Sequence, residues 1–153
     1  MSRRVGIFVA TMTGLAELCA EEIAAALTSS AASLEMRLME GLLADVVDEY
    51  DIIVIVSSTY GHGDIPDNGQ AFFDSLAGRE SLQGKLFTVF ALGDRTYSDT
   101  FCHAGEKWDD LFHAKGAVRL APLMRHDASS GTLAEDEAGA WAAGWSALLK
   151  EAA

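Results

Sequence analysis

Five stretches of the chain are rich in apolar and β-branched residues, and polar or turn-forming positions bound each of them. This pattern predicts five β-strands, at Arg4–Ala10, Ser33–Leu38, Asp51–Ser57, Lys85–Leu92 and Ala117–Leu123. Three of these runs are almost continuously apolar. Such runs are typical of strands covered on both faces, as in a parallel sheet with helices above and below it.

Between the predicted strands, apolar residues recur three or four positions apart. This spacing predicts helices at Ala16–Leu27, Gly69–Leu76, Ala104–Ala114 and Glu135–Leu149. Thr13 stands before the first of these helices and Asp67-Asn68 before the second, and both are suited to capping a helix. Met39–Val47 has little periodicity, which leaves an irregular connection or one helical turn. The alternation of strands and helices predicts an open, doubly wound α/β sheet.

Length and composition fit one compact unit. The chain has 153 residues, half of them hydrophobic, which is enough to bury one substantial core and too little for two. We therefore expect a single domain over residues 1–153. The first apolar run follows Arg3-Arg4, but Thr11, Thr13 and Glu17 interrupt it, so we expect a buried strand rather than an export signal. Because no apolar run approaches the roughly 20 residues that cross a bilayer, we expect a cytoplasmic protein with no membrane partner.

The chain is strongly acidic. Its formal net charge is −12, from 23 Asp and Glu against 11 Lys and Arg. This charge disfavours binding to nucleic acid and to anionic membranes, and it would attract a partner with a basic surface. A role in solubility alone stays open. Cys19 and Cys102 lack the spacing of metal ligands and the density of a disulfide framework, so we expect buried free thiols and no metal site.

In an open parallel sheet, ligands bind at the carboxyl ends of the strands, near the point where the strand order reverses. The loop after the first predicted strand, Thr11–Glu17, leads through one glycine directly into a helix. Backbone N–H groups at a helix start favour an anion, and the hydroxyls of Thr11 and Thr13 add donors, so the loop is suited to phosphate. It has neither the G-x-G-x-x-G nor the G-x-x-x-x-G-K-[ST] spacing, which argues against dinucleotides and nucleoside triphosphates. A turn that only caps the helix is the alternative.

The loops after the third and fourth predicted strands each combine glycine with an aromatic residue. Ser57–Asn68 contains two glycines two residues apart, which let the backbone approach a flat ligand, and Tyr60, which can stack on it. Leu92–Cys102 again places a glycine before an aromatic residue, Tyr97. The two tyrosines could sandwich an aromatic ring. Plain surface turns, with Tyr97 packed in its own loop or against Arg95, are the alternative.

Three motifs stand in order along the chain: T-x-T-G-x-A-E at Thr11–Glu17, S-S-T-Y-G-H-G-D-I-P-D-N at Ser57–Asn68, and A-L-G-D-x-x-Y…F-C at Ala91–Cys102. Together, over the whole length, they resemble short-chain flavodoxins of the MioC type, and they are similar to the FMN domains of sulfite reductase flavoprotein and cytochrome P450 reductase. The resemblance implies a flavodoxin-like, three-layer α/β/α fold with a five-stranded parallel sheet in the order 2-1-3-4-5. It also implies FMN as the cofactor and a role as a low-potential one-electron carrier between a reductase and an acceptor enzyme.

The resemblance also implies roles for the three loops. Thr11–Ala16 would hold the FMN phosphate, and Ser58–Gly63 would lie along one edge of the isoalloxazine. Leu92–Cys102 would close the other side, with Tyr97 stacked on the flavin and Tyr60 covering the opposite face or the dimethylbenzene edge. The cofactor-binding residues implied are Thr11, Met12, Thr13, Gly14, Leu15, Ala16, Ser58, Thr59, Tyr60, Gly61, His62, Gly63, Leu92, Gly93, Asp94, Tyr97, Phe101 and Cys102.

The chain departs from that family pattern in two places. Leu15 stands where relatives often have Asn or Thr, so the phosphate would depend more on backbone amides. The third loop is one residue longer between Tyr97 and Phe101, which leaves the contacts of Ser98–Thr100 open. The short passage from the fifth strand to the last helix leaves no room for the insertion of long-chain flavodoxins.

Electrostatics and the resemblance together set the expected partners. Four carboxylates lie near the predicted site: those of Asp64, Asp67, Asp94 and Asp99. Their charge would disfavour the extra negative charge of a fully reduced flavin, which predicts a low reduction potential. The same acidic rim would dock a basic partner loosely and quickly. We expect a monomer, with an NAD(P)H-flavodoxin or ferredoxin reductase as electron donor and a basic-faced redox enzyme as acceptor.

Other functions on a similar fold stay open. An NAD(P)H-dependent FMN quinone or nitro reductase would need a pocket for nicotinamide and substrate, and such relatives generally carry longer inserts. A phosphoacceptor receiver domain would need clustered carboxylates after the first strand, where this chain has threonines. A binding module without redox function is a further alternative. We expect no catalytic side chain, because no motif places a base beside Cys102, and His62 and His103 are expected on loop surfaces.

Overall fold

The strands form one parallel sheet. The computed structural model describes residues 4–11, 13–31, 33–60 and 62–151. Within that part of the chain the strands are β1 (Arg4–Ala10), β2 (Ser33–Leu38), β3 (Ile52–Ser57), β4 (Leu86–Gly93), β5 (Val118–Arg119) and β6 (Met124–Asp127). They follow the order β2-β1-β3-β4-β5, and β6 also pairs with β4. The predicted parallel sheet in the order 2-1-3-4-5 is therefore confirmed.

Helices cover both faces of this sheet. They are α1 (Leu15–Leu27), α2 (Asp67–Ala77), α3 (His103–Ala114), α4 (Ala134–Trp145) and α5 (Leu148–Glu151), with 3₁₀ turns at Ala44–Glu49, Arg95–Thr100 and Ala128–Ser130. The helices α1 and α4 pack on one face, and α2 and α3 pack on the other. The segment for which the sequence left an irregular connection or one helical turn contains the start of the first 3₁₀ turn.

The central strands can be apolar at every position because both faces of the sheet are buried under helices. In β3, Val54 and Val56 belong to the core under α1 and α4, whereas Ile53 and Ile55 belong to the core under α2 and α3. All four side chains are fully buried. A strand in this position gains from an apolar side chain at every residue, so its sequence does not alternate.

The fifth strand differs from the prediction of one run at Ala117–Leu123. It is split into β5 and β6, and the second piece continues to Asp127, beyond the predicted end at Leu123. Between the two pieces the outer segment advances five residues, 119 to 124, while β4 advances three, 87 to 90, so two additional residues bulge out of the ladder.

The composition of the bulge explains why the strand breaks there. Pro122 has no N–H to donate to the ladder. Ala121, just before it, is buried in the core under α1 and α4, and its carbonyl accepts a hydrogen bond from the hydroxyl of Thr88 at 2.9 Å. The sheet edge thus tolerates a break that its buried centre would not.

The last predicted helix, Glu135–Leu149, is likewise in two pieces. The helix α4 ends at Trp145, and α5 begins at Leu148. The hydroxyl of Ser146 donates to the carbonyl of Ala143 at 3.1 Å, and the N–H of Leu149 bonds the carbonyl of Ser146, a tighter i to i+3 pattern. Both bonds compete with regular α-helical pairing.

Two features are absent from the described residues. None of their helices combines the length and the apolar character needed to cross a membrane. Nor does this part of the chain bring together three or more His, Cys, Asp or Glu side chains that could hold a metal ion.

The close contact between α3 and β4 depends on Gly105. A Cβ atom at this position would overlap the Cβ of Ala91 and lie 3.1 Å from its Cα. We expect Gly105→Ala to lower the free energy of unfolding by about 1–3 kcal/mol, because the helix must move off the sheet. Denaturant unfolding of the cofactor-free protein measures this change.

Gly144 provides the matched control. It also lies in a helix, but a Cβ there would meet no atom of the described residues within 4 Å, its own helix backbone aside. Gly144→Ala should leave stability unchanged or raise it by up to about 1 kcal/mol, because alanine loses less backbone entropy in a helix than glycine. Equal stability of the two variants would contradict the close α3–β4 packing.

Candidate functional site

A cavity of about 460 Å³ lies at the carboxyl ends of the central strands. All three predicted loops contribute to its wall, as does the turn after β6. The lining residues are Thr13, Ser58, Thr59, Tyr60, Leu92, Gly93, Asp94, Tyr97, Thr100 and Ala128. Its volume is in the range of small-molecule sites, and its place is where doubly wound sheets bind ligands.

The turn after β1 is shaped by one hydroxyl and one glycine. The Oγ1 atom of Thr11 accepts a hydrogen bond from the N–H of Gly14 at 2.9 Å. Gly14 is the N-cap of α1 and has φ = 92°, a left-handed conformation that favours glycine. Its carbonyl accepts from the N–H of Leu18 at 3.2 Å, so the helix starts immediately after the turn. The backbone N–H groups of the first helical turn therefore open beside Thr13, which lines the cavity.

The first two residues of α1, Leu15 and Ala16, pack their side chains in or against the core and do not line the cavity. Ala16 is fully buried in the core, and Leu15 packs against that core. The lack of a side-chain donor at Leu15 thus has a structural reason, because the apolar side chain anchors the first helical turn. Met12 lies outside the described residues.

Hydrogen bonds from α3 and to the end of β4 hold the turn after β3. The hydroxyl of Ser57 accepts a hydrogen bond from Nε1 of Trp108 at 3.2 Å and donates to the carbonyl of Ser58 at 3.0 Å. The hydroxyl of Thr59 donates to the carbonyl of Leu92 at 2.9 Å, which joins the second loop to the end of β4. These bonds fix the backbone of Ser58, Thr59 and Leu92, which line the cavity.

Beyond Thr59 the chain forms a tight turn. Tyr60 and Asp64 exchange both backbone hydrogen bonds, at 2.8 and 2.7 Å. Gly63 has φ = 94°, and a Cβ there would lie 3.0 Å from the Cβ of His103, so glycine is required for conformation and space. His62 is exposed and does not line the cavity. Gly61 lies outside the described residues.

The turn after β4 bends sharply around Gly93. A Cβ at Gly93 would lie 2.6 Å from the backbone nitrogen of Cys102, so the loop can close on itself only with glycine. The carboxylate of Asp94 then accepts from the N–H of Thr96 at 2.8 Å and starts the 3₁₀ turn. Within that turn Tyr97 sits at a kink, with φ = −107° and ψ = 67°.

The two tyrosines stand exposed at the cavity. Tyr60 has 45% and Tyr97 has 67% of its surface accessible. Large aromatic side chains seldom stay this exposed in pairs beside a cavity unless they meet a ligand or a partner. Neither ring is among the aromatic pairs of the core.

Phe101 and Cys102 lie behind the cavity wall. The guanidinium carbon of Arg95 lies 4.4 Å from the centre of the Phe101 ring, so Arg95 covers Phe101 and not Tyr97. Cys102 is fully buried, and its Sγ lies 3.6 and 3.7 Å from the carbonyl oxygens of Ala91 and His126, either of which can accept its single thiol proton. Burial raises the pKa of the Cys102 thiol to about 12.

One side of the cavity was not predicted from the sequence. Ala128, in the turn after β6, forms this side, and Thr100, whose contacts the sequence left open within the loop after β4, also lines the cavity. The Asp127 carboxylate joins the two outer turns, accepting from the N–H of Arg95 at 3.0 Å and from the N–H and hydroxyl of Ser129 at 2.9 and 2.7 Å. The hydrogen bond from Arg95 is the largest influence that lowers the pKa of Asp127. The predicted strand order contained the necessary information, since the loop after the fifth strand must lie beside the loop after the fourth.

The structure brings part of the predicted set together at one wall. Eight of the predicted residues line the cavity: Thr13, Ser58, Thr59, Tyr60, Leu92, Gly93, Asp94 and Tyr97. Thr11 and Gly14 shape the adjoining turn, and the remaining described members lie behind the wall or on the outer surface. Contact of any of these residues with a cofactor stays a prediction.

The basic side chains near this edge of the sheet are paired with carboxylates. Arg95 lies 3.7 Å from Asp127, Lys107 lies 3.8 Å from Asp64, and Arg125 lies 2.8 Å from Glu106. Pairing cancels much of each positive charge locally. The surroundings of the cavity therefore keep the negative character of the whole chain, whose net charge is −12.

Comparison with known proteins gives a consistent result. Residues 7–141 match the flavodoxin family. The chain is 34% identical to flavodoxin YqcA of Escherichia coli K12 over 95% of this chain and 97% of that protein. It is 32% identical to protein MioC of Escherichia coli O157:H7, over 90% of this chain and 92% of MioC.

A solved structure of a mutant of flavodoxin from Pseudomonas aeruginosa superposes with a TM-score of 0.83 at 31% identity, covering 96% of this chain and 99% of that one. The match confirms the flavodoxin-like fold, and the similarity to MioC confirms the predicted resemblance. The fold, the position of the cavity and these similarities agree, and the chain therefore belongs to the flavodoxin family.

Proposed function

We propose that this flavodoxin binds FMN in the cavity at the carboxyl ends of β1, β3 and β4. FMN is the cofactor of the family to which the chain belongs. We further propose that the chain, as one FMN-binding domain, carries electrons singly and at low potential from a reductase to an acceptor enzyme. The observation that carries the proposal is the cavity itself, which has exposed tyrosines on two of its loops and a helix start beside a third.

The turn after β1 fits a phosphate. The first N–H groups of α1 have no partner within the helix, and the helix dipole adds partial positive charge there. Because the Thr11 hydroxyl accepts from Gly14, its own proton is available to an anionic oxygen. Thr13 is exposed at the cavity and adds a second hydroxyl.

The rest of the cavity fits a flat aromatic ring system. Tyr60 and Tyr97 offer aromatic faces, Leu92 offers apolar contact, and Gly93 lets the backbone come close. When bound, FMN supplies the redox chemistry, and the protein sets its binding, exposure and electrostatic surroundings. No side chain is needed as an acid, base or nucleophile for that role.

The charge of the chain supports both the low potential and the choice of partner. Adding an electron adds negative charge to a cavity whose wall and neighbouring turn carry Asp94 and Asp99, which disfavours reduction. A basic surface on a reductase or an acceptor is attracted to the same region. We propose an NAD(P)H-flavodoxin or ferredoxin reductase as donor, a basic-faced redox enzyme as acceptor, and a monomeric carrier between them.

Reconstitution with FMN tests the proposal directly. We expect the purified protein to bind one FMN per chain and to take up two electrons in two resolved one-electron steps during an anaerobic dithionite titration. Visible absorption follows both binding and reduction. NADPH alone should not be oxidised continuously by the FMN-loaded protein, because the chain is a carrier that needs a reductase.

Two other results would point elsewhere. A protein that fails to take up FMN would overturn the proposed cofactor site. Sustained NADPH oxidation, together with reduction in a single two-electron step, would favour the quinone or nitro reductase alternative.

The buried thiol of Cys102 yields a pH prediction. Its pKa rises from 9.0 to about 12 in the folded protein, so at pH 8 only about one thiol in 10⁴ is ionised. We expect no fast reaction with a disulfide reagent at pH 8 in the native state, and reaction of both cysteines after denaturation. Because the raised pKa favours the protonated thiol in the fold, its stabilising effect is complete below pH 9 and declines as the pH rises toward 12.

A matched variant separates burial from redox involvement. Cys102→Ala should still bind FMN and pass through the same two reduction steps, while Cys19, whose pKa is also raised to about 12, stays unreactive in that variant. A native thiol that reacts rapidly near pH 8, and whose removal abolishes reduction, would refute this assignment.

Ionic strength tests the attraction of a basic partner. We expect electron transfer to a basic c-type cytochrome to slow by on the order of tenfold between low salt and about 0.5 M salt, because mobile ions screen the −12 charge. Stopped-flow kinetics measure this rate. Transfer to a small neutral quinone is the control and should change little; equal salt dependence with both acceptors would contradict electrostatic attraction.

A further inference from the structure

The strand pairing of β1 ends just before the phosphate turn. The last paired residues of β1 and β3 are Ala10 and Ser57, and the N–H of Ser58 still bonds the carbonyl of Ala10 at 3.0 Å. Thr11 is the first residue after β1. From there on, the ladder no longer fixes the backbone, so another group must hold it.

The side-chain amide of Asn68 forms hydrogen bonds with both backbone groups of Thr11, the N–H and the carbonyl. Its Oδ1 accepts from the N–H of Thr11 at 3.3 Å, and its Nδ2 donates to the carbonyl of Thr11 at 3.0 Å. A primary amide is suited to this pairing because it carries a donor and an acceptor side by side, as a neighbouring strand would. The contact joins residues 57 positions apart in the chain.

The next residue in α2 makes this reach possible. A Cβ at Gly69 would lie 2.9 Å from the Cβ of Ala10 and 3.1 Å from the Sδ of Met39. Glycine therefore lets the first turn of α2 press against the end of β1. This approach places the Asn68 amide level with Thr11.

Thr11 in turn forms a hydrogen bond with the residue at the start of α1. Its hydroxyl accepts from the N–H of Gly14 at 2.9 Å, and Gly14 sets the left-handed N-cap of α1. Asn68, Thr11 and Gly14 thus form one hydrogen-bonded series that runs from α2 to the proposed phosphate turn. A turn held in its binding conformation loses less entropy when an anion binds.

We propose that Asn68 is a positioning residue for the phosphate end of the site, and that it sets the preference of this chain for FMN over the unphosphorylated flavin. The inference rests on the proposed function. Asn68 does not line the cavity, so it acts through Thr11 and not by touching the ring. Its effect should therefore fall on ligands that carry a phosphate.

Flavin binding to the Asn68→Ala protein tests the proposal. We expect FMN to bind about tenfold more weakly than to the wild type, and riboflavin to change by less than about threefold, since only FMN uses the phosphate turn. Quenching of flavin fluorescence gives both dissociation constants. Gln70→Ala is the matched control, because Gln70 lies on the same helix, is exposed, and bonds Asp74 and not the turn.

Amide hydrogen exchange in the cofactor-free protein gives an independent measurement. The N–H groups of Thr11 and Gly14 should exchange faster in Asn68→Ala than in the wild type, while Gln70→Ala leaves them unchanged. Equal weakening of FMN and riboflavin by Asn68→Ala, or unchanged exchange at both amides, would overturn the proposal. A wild type that binds neither flavin would overturn the proposed function instead, and the exchange rates would still decide whether Asn68 holds the turn.

Discussion

Burial of both faces of the three central strands is the constraint on which the site depends. The side chains of β1, β3 and β4 pack into both helical layers, and close packing with those layers holds the strands in one register. In that register Ala10, Ser57 and Ala91 form one row across the sheet. The strands β1 and β3 end at this row and β4 ends two residues later, at Gly93, so the three functional loops begin at nearly the same level.

The same constraint explains which parts of the fold the sequence could predict. Nearly continuous apolar runs in the central strands leave little choice of structure, and the predicted end of each strand lies within one residue of the observed end. The outer strand is different, because it pairs with β4 alone, and this edge position allows Pro122 and a two-residue bulge without loss of the sheet. The split between α4 and α5 escaped prediction for a related reason: the apolar spacing continues through Ser146, whose local hydrogen bonds end the helix.

The sequence predicted where the site lies, but it did not predict which side chains of the loops point into the cavity. The carboxyl-end rule and the strand order indicated where the loops converge, and Tyr60 and Tyr97 both face the cavity. Periodicity could not tell that Ala16 is buried in the core, or that Cys102 lies behind the wall at a left-handed φ of 57°. Ala128 was not predicted because the site was assigned only to the loops after the first, third and fourth strands, although the strand order places the loop after the fifth strand beside them.

A negatively charged protein attracts basic partners from a distance but repels an anionic ligand. The structure meets both requirements because the groups that bind the anion act only over a short distance. The segment Thr11–Glu17 contains no basic residue, and backbone N–H groups act within about one helical turn, so they bind an anion without changing the charge that a distant partner meets. Such a site works only when its backbone is held in one conformation, since no flexible cationic side chain can follow a displaced phosphate. The left-handed Gly14, the Thr11 hydroxyl and the Asn68 amide supply this rigidity where strand pairing stops. The absence of basic residues from the turn and the presence of a paired amide behind it are therefore two parts of one solution.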